Sequence, residues 1–332
     1  KVAWYENLGS GLFGPQQVIT NAAPSAFSID TADLDGDGDL DVLAISSNVG
    51  VTWYENLGGG TFGIQQGIAV PATPESVHVV DLDGDGDPDV VYSAANVRWN
   101  ENLGGGLFGP QQDVSSDSSY VRSIFSGDLD GDGDPDVLSA SQLENKVAWY
   151  ENLGAGLFGP QQVISTAATD PFSVYAADLD GDGDVDVLSA SGTDDKVAWY
   201  ENLGGSTFGP QQVITSSADG AYSVYATDMD GDGDTDVLSA SYNDDKVAWY
   251  ENLGSGSFGS QQIITTAADN ALAVHAADLD GDGDADVLSA SSDDDKVAWY
   301  ENLANFPDCN GNGVSDDLDI AGGSSADCDG NG

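Results

Sequence analysis

Aspartate recurs at alternate positions through a nine-residue stretch, Asp-Leu-Asp-Gly-Asp-Gly-Asp-x-Asp, that occurs six times in the chain. The copies hold Asp33, Asp35, Asp37, Asp39 and Asp41; Asp81, Asp83, Asp85, Asp87 and Asp89; and Asp128, Asp130, Asp132, Asp134 and Asp136. They continue with Asp178, Asp180, Asp182, Asp184 and Asp186; Asp228, Asp230, Asp232, Asp234 and Asp236 (with Met229 for leucine); and Asp278, Asp280, Asp282, Asp284 and Asp286. Five carboxylates this close repel one another, so an ordered loop near neutral pH needs a counter-cation. Ca2+ suits the task, because it takes six to eight oxygen ligands in a flexible shell. In the fourth copy, Asp178, Asp180, Asp182 and Asp186 offer carboxylates at positions 1, 3, 5 and 9, and Asp184 at position 7 offers its backbone carbonyl. Gly183 at position 6 allows the sharp turn. This first half follows the EF-hand scheme, but Ser189 stands at position 12, where an EF-hand has a bidentate glutamate. Mg2+ prefers few protein carboxylates, and Zn2+ would want His or Cys ligands. About six Ca2+ ions are therefore expected, one per loop.

A second kind of acidic loop follows near the C-terminus. Asp308, Asn310, Asn312 and Asp319 place oxygen ligands at positions 1, 3, 5 and 12, with Gly313 at position 6, and a second copy begins at Asp327. The pair resembles dockerin-like or thrombospondin type 3-like calcium repeats. That resemblance implies further Ca2+ in the tail and, for a dockerin, a cohesin partner. Cys309 and Cys328 occupy matching positions of the two copies. They are read as pairing with each other or with cysteines beyond Gly332.

The formal charge is −51, from 58 acidic and 7 basic residues. Six Ca2+ would leave about −39. Such a surface excludes nucleic acid and anionic membrane faces as partners. The chain is nevertheless 40% hydrophobic, with 29 aromatic residues that recur in register, which argues for a packed core. No apolar run is long enough to span a membrane as a helix, so no membrane insertion is expected. Loops this rich in carboxylate suit millimolar free calcium, hence an extracellular setting, secreted or at the cell surface.

The loops must be positioned by a repeating scaffold. Trp4, Trp53, Trp99, Trp149, Trp199, Trp249 and Trp299 recur at a spacing near 50 residues, most of them within Lys-Val-Ala-Trp-Tyr-Glu-Asn-Leu-Gly. One unit reads as four strands: Phe172–Asp178, Asp186–Ser191, Lys196–Leu203 and Gln211–Thr215. Radial repetition of four antiparallel strands is an all-β propeller. The chain starts on a third strand, Val2–Leu8, and its last repeat ends on another, Val297–Leu303. Seven blades are expected, the first beginning upstream of Lys1. Six is the alternative, with Gln16–Thr20 closing the last blade. The propeller is assigned to residues 1–303 as a partial first blade, five full blades and a last blade lacking its fourth strand. Residues 304–332 are assigned to a calcium-binding tail that opens a second module.

The Asp-x-Asp-Gly-Asp-Gly-x-x-Asp loops, together with pairs such as Phe13-Gly14, Phe158-Gly159 and Phe208-Gly209, resemble the FG-GAP/VCBS repeat family. Integrin α subunits and some fungal lectins carry related repeats. The resemblance covers roughly residues 1–303 and departs from the pattern only at points such as Ile64 and Ser260, where other copies have proline. It implies seven blades, with calcium between the first two strands of each. Family members serve in adhesion, in sugar binding and as non-catalytic modules of larger secreted proteins.

Where near-identical repeats diverge, a ligand site is more plausible. Arg98 and Asn100 replace the usual residues around Trp99, and Glu75 and Arg122 replace an aromatic or leucine at the start of two successive first strands. Glu75 and Arg122 are expected to face each other, as a structural ion pair or as part of a polar ligand site. His78 and His275 share one variable position and read as packing residues. No nucleophile–base arrangement is recognisable around either histidine. The expected function is a non-catalytic, calcium-binding interaction or adhesion module within a larger polypeptide, with a protein or glycan ligand outside the cell. A lectin with sites between blades is the first alternative. A propeller of a polysaccharide-degrading enzyme is the second.

Overall fold

The computed structural model describes residues 1–70, 74–116 and 119–303. Runs of Val, Ile, Trp and Tyr bounded by Gly, Pro and Asp form short strands throughout, as their shape and bounding residues favour. The strands are β1 (Val2–Trp4), β2 (Gln17–Thr20), β3 (Ala26–Ala32), β4 (Asp41–Ser46), β5 (Gly50–Tyr54), β6 (Gln66–Ala69), β7 (Val77–Val80), β8 (Asp89–Ser93), β9 (Val97–Asn100) and β10 (Gln112–Ser115). They continue as β11 (Val121–Gly127), β12 (Asp136–Ser141), β13 (Lys146–Tyr150), β14 (Gln162–Ser165), β15 (Pro171–Ala177), β16 (Asp186–Ser191), β17 (Lys196–Tyr200) and β18 (Gln212–Thr215). The last are β19 (Ala221–Thr227), β20 (Asp236–Ser241), β21 (Lys246–Tyr250), β22 (Gln262–Thr265), β23 (Ala271–Ala277), β24 (Asp286–Ser291) and β25 (Lys296–Tyr300).

Consecutive strands pair antiparallel into sheets β3–β6, β7–β10, β11–β14, β15–β18 and β19–β22, followed by the three-stranded β23–β25. The first strands of successive sheets pack side by side, which makes the array a propeller. The expectation of seven blades is not met: the described residues form six blades with an inner strand, the alternative count. The sixth is not closed by Gln16–Thr20, as that alternative supposed. Instead β2 pairs with β1 in a separate two-stranded sheet. The tail ligands Asp308, Asn310, Asn312 and Asp319, with Cys309 and Cys328, lie outside the described residues.

The third strand is shorter than its apolar run suggests. After Tyr200 the chain turns out of the sheet, and Asn202 makes only an isolated bridge to Phe208. Leu203 is consequently exposed, as are its counterparts in the other repeats.

The core lies between blades. Leu138, Val147 and Trp149 of one blade bury against Val174, Val187 and Tyr200 of the next. Trp53, Trp99, Trp149 and Trp199 are all at most 3% exposed, so the recurrent tryptophans are packing residues. The edges of Trp4, Trp53, Trp99, Trp199 and Trp299 lie against a glycine of a neighbouring unit; in the unit after Trp149 the equivalent position is Ser206, with φ +65°. A Cβ on Gly106, held at φ +69°, would fall 2.6 Å from Trp53. The same contact joins the ends of the chain, because a Cβ on Gly11 would meet Trp299 at 2.6 Å. Asn7 Nδ2 also donates to Leu279 O at 2.7 Å, and Ser10 N to Asp280 O at 3.2 Å. The β1–β2 sheet therefore sits beside the last blade as each blade sits beside its predecessor.

Gly106→Ala combines a steric clash with a left-handed backbone and should destabilise the protein by roughly 2–4 kcal/mol. Gly67→Ala, in open space, should be near neutral; matched denaturant midpoints for the two variants would refute the close Trp–Gly contact.

Candidate metal loops and a polar–aromatic rim

Each acidic loop joins the first and second strands of a blade and is organised by its own backbone. In the loop between β11 and β12, Asp128 Oδ1 accepts Gly131 N at 2.8 Å and Oδ2 accepts Gly133 N at 3.0 Å. Asp130 Oδ1 accepts Asp132 N at 3.2 Å, and Asp132 Oδ1 accepts Asp134 N at 2.9 Å. Asp136 is fully buried: its Oδ2 accepts Leu129 N at 2.9 Å and its Oδ1 accepts Asn152 N at 2.8 Å. This last pair staples the loop to the turn after the third strand. The same bonds recur for Asp41, Asp89, Asp186 and Asp236. Gly131 and Gly133 have φ of +81° and +97°, which the tight winding requires.

The winding brings carboxylates together. Asp128, Asp130 and Asp136 each present an oxygen within 4.8 Å of the others. So do Asp178, Asp180 and Asp186, and likewise Asp228, Asp230 and Asp236. In the first two loops the convergent sets are Asp33, Asp35 and Asp37, and Asp81, Asp83 and Asp85. Oxygens on opposite sides of a Ca2+ ion stand about 4.8 Å apart, twice a bond of about 2.4 Å, so all members of each set can touch one ion. An all-oxygen, multiply anionic donor set suits Ca2+ and offers Zn2+ no preferred ligand. Asp39, Asp87, Asp134, Asp184 and Asp234, at position 7, belong to none of these five sets. Four of them, Asp39, Asp134, Asp184 and Asp234, place Oδ2 3.3–3.4 Å from where a Cβ would stand on the turn glycine after the third strand. Only their backbone carbonyls remain in the reading made from the sequence.

Burial raises the carboxyl pKa at position 9, to about 7 for Asp89, Asp136 and Asp186 and about 6 for Asp236. The two backbone donors oppose this, and neighbouring aspartates add to it.

The divergent residues divide between two places. Arg98 Nε pairs with Asp113 Oδ1 at 3.1 Å across β9 and β10, and Asn100 Nδ2 donates to Gly109 O at 2.9 Å. Arg122 shares no partner with them. Its Nη1 meets Glu75 Oε2 at 3.0 Å, as the sequence led one to expect, and its Nε donates to Gln142 Oε1 at 2.8 Å. Its guanidinium also lies 5.3 Å from the Tyr120 ring centroid and 5.1 Å from that of Phe172. Phe172 stacks on Tyr222 at 4.7 Å, and Tyr222 approaches Tyr242 at 6.1 Å. Asp170, Thr193 and Asn243 complete a cavity of about 410 Å3 there. Sequence reasoning singled out Arg122 and Glu75 but missed Phe172, Tyr222 and Tyr242. The signal that flagged the first two, variation inside a near-identical repeat, applies equally to these rings.

Around the axis, the variable position holding both histidines forms an arc of packed side chains. Asp30 Oδ2 meets His78 Nδ1 at 3.1 Å, and His78 stacks on Phe125 at 4.9 Å. Phe125, Tyr175, Tyr225 and His275 follow at 4.4–4.9 Å. This is the packing role read from the sequence. Burial lowers the His275 pKa, against the pull of Asp30. Lys146, Lys196, Lys246 and Lys296 each meet an acid two residues earlier at 2.6–2.8 Å.

Fold and loops together define a β-propeller with an aspartate-rich turn in the inner hairpin of every blade. The chain belongs to the FG-GAP-like repeat family, whose repeat matches residues 1–44, 33–92, 91–139, 128–189, 178–239 and 228–289. A search of curated protein sequences finds no match. Among solved structures, a lectin from Agrocybe aegerita that recognises non-reducing terminal N-acetylglucosamine is 22% identical, with a TM-score of 0.60 over 84% of this chain and 81% of that one. The BP39L lectin from Burkholderia pseudomallei is 17% identical, with a TM-score of 0.66 over 91% and 92%. Virginiamycin B lyase from Staphylococcus aureus is 13% identical, with a TM-score of 0.56 over 91% and 89%. Lectins and a lyase on one frame establish the propeller and leave activity to the sites.

Asp136→Asn keeps the shape of the staple but sets an amide N–H against a backbone donor. It should cost about 2–3 kcal/mol even in chelator. Asp134→Asn should cost under about 1 kcal/mol under the same conditions. Equal urea midpoints for the two would refute the staple.

Proposed function

We propose that this chain is a calcium-stabilised, non-catalytic interaction module that works outside the cell, held at a surface or secreted, and binds a protein or glycan. The convergence of three carboxylate oxygens within 4.8 Å in loop after loop carries this reading. Such clusters are costly unless a cation neutralises them. Positions 1, 3, 5 and 9 are the proposed side-chain ligands, and position 7 contributes its carbonyl. The ion would supply charge neutralisation and rigidity. The protein's own part is to pre-wind the loop through its glycines and staple it at position 9. An extracellular location is consistent with the repeat family and with the calcium that the loops would require. Among the described residues, no helix is long and apolar enough to cross a membrane. The near-identity of the repeats favours binding over turnover, because an active site needs asymmetry.

The rim cavity favours a second reading, that the ligand is a carbohydrate. Stacked aromatic faces beside Arg122, Asp170, Thr193 and Asn243 offer both apolar platforms and hydrogen-bonding groups. Its volume falls within the range of small-ligand sites. The likeness of the fold to two lectins is compatible with this and goes no further.

Each site held at a hundredfold above its Kd adds about 2.7 kcal/mol to stability, so excess EGTA should lower the melting temperature by more than about 10 °C. An unchanged melt would refute the metal reading. The pH dependence should change sign with metal. In chelator, a carboxyl with a raised folded pKa holds its proton longer in the folded than in the unfolded chain. Stability should then fall as pH rises from about 4 to about 7. With calcium in excess it should rise over the same interval, because protonated carboxylates are poor ligands. For the carbohydrate reading, Tyr222→Ala should abolish specific glycan-array signals with little change in melting temperature; a blank array for the parent chain would favour a protein ligand.

A further inference from the structure

At the rim cavity, two glycines stand where sister blades carry side chains. Gly192 follows β16, and its counterparts after β12, β20 and β24 are Gln142, Tyr242 and Ser292. Gly220 precedes β19, and Tyr120, Asp170 and Asn270 hold that place before β11, β15 and β23. One repeated bond fixes the equivalence: Gln142 N, Gly192 N, Tyr242 N and Ser292 N donate to Tyr120 O, Asp170 O, Gly220 O and Asn270 O. The backbone does not demand glycine at position 192, because its φ lies outside the left-handed region. Space demands it, since a Cβ there would stand 2.6 Å from Phe172 Cε2. A Cβ on Gly220 would stand 2.7 Å from Asn243 Nδ2. The hollow of about 410 Å3 is therefore built into the sequence of these two blades.

Its wall offers acceptors and no unengaged cation. Arg122 gives Nη1 to Glu75 and Nε to Gln142, and it lies over the Tyr120 and Phe172 rings. Lys196 and Lys246, which open the third strands of the two blades, pair with Asp194 and Asp244. Donors are committed as well. Thr193 Oγ1 donates to Asp170 Oδ2 at 3.1 Å, and Asn243 Nδ2 donates to Asp219 Oδ1 at 3.0 Å. The amides of Gly192 and Asn243 donate to Asp170 O and Asp219 O at 3.1 Å. The groups left for a ligand are the second carboxylate oxygen of Asp170, the lone pairs of Thr193 and the amide oxygen of Asn243, beside the rings of Tyr222 and Tyr242. An anionic group finds no partner in this wall, whereas a protonated amine finds a carboxylate and aromatic rings. The protein uses the same pairing internally, with the Arg122 guanidinium 5.1 Å from the Phe172 ring centroid. The net charge of −51 also draws cations to the surface.

We infer that the rim cavity selects a sugar bearing a free amino group over neutral and acidic sugars. This rests on the carbohydrate reading of the same cavity and names the class of sugar. Asp170 takes the ammonium, and Tyr222 and Tyr242 take the C–H face of the ring.

The test is calorimetric titration of the full chain, in excess calcium, with a glucosamine trimer, its N-acetylated form and a uronic acid trimer. The glucosamine trimer should bind at a single site, at least about tenfold more tightly than the acetylated trimer, because a charge-assisted bond replaces a neutral one. The uronate should not bind. Asp170→Asn, which copies Asn270 of the next blade but one, should cost about tenfold on the glucosamine trimer and leave the acetylated trimer unaffected. Gly192→Ser, which copies Ser292, should weaken both by crowding the cavity; should this variant fold poorly, Asp170→Asn decides. Glucosamine and acetylated trimers that bind alike, with Asp170→Asn inert, overturn the inference and leave the carbohydrate reading standing. Glucosamine binding that neither substitution alters is adhesion to the acidic surface, and it overturns the inference too. Silence from all three trimers does the same, and the glycan array then decides the broader reading.

Discussion

Five carboxylates within nine residues must be held against their own repulsion, and the blade is built around the means of doing so. Backbone N–H groups supply the first part. Asp128 takes two from the turn glycines, and Asp136 takes one from within the loop and one from the turn after the third strand. These bonds cost little charge repulsion, because each places a positive dipole end on an oxygen. They also tie three strands of the blade to one side chain. A shift in Asp136 would be felt at once by β11, β12 and β13. The remaining repulsion is left for a cation, so the loop acts as a joint whose stiffness is set by its surroundings.

The contact between blades is of the opposite kind. It is apolar and, at five of the seven tryptophans, built from one large and one absent side chain. Tryptophan fills the space that a Cβ would need, and so fixes the angle between neighbours. Asn102 and its counterparts then connect the acidic loop of one blade to the turn of the next. Charge organises the hairpin, and packing organises the ring. The asparagine is where the two meet.

Much of this was legible in the sequence because the repeats report it several times over. The strand Asp186–Ser191 begins and ends where its residues say it should. The tryptophans pack, as their regular recurrence required. What could not be read depends on relations between distant copies. The contact of Trp299 with Gly11 joins the two ends, and nothing local to either residue announces it. The position-7 aspartates lie beside the turn glycine after the third strand, some twenty residues away in sequence. The rings of Phe172, Tyr222 and Tyr242 become a cavity only once adjacent blades are set side by side. The count of blades was argued from the strand order at the ends: the described residues show six blades with an inner strand, while β1 and β2 pair with each other and not with the edge of β25.

The joint between the last blade and the β1–β2 sheet repeats the tryptophan–glycine contact of other joints, Trp299 against Gly11, so the two surfaces that meet there are complementary and not self-matching. Surfaces of that type close into a ring when one chain meets itself, and extend head to tail when it meets a neighbour. Closure within the molecule wins in dilute solution, because the tethered end is the nearest one. At high protein concentration, or when heat opens the ring, Trp299 of one molecule can settle on Gly11 of the next. The result is a linear polymer held together by native contacts.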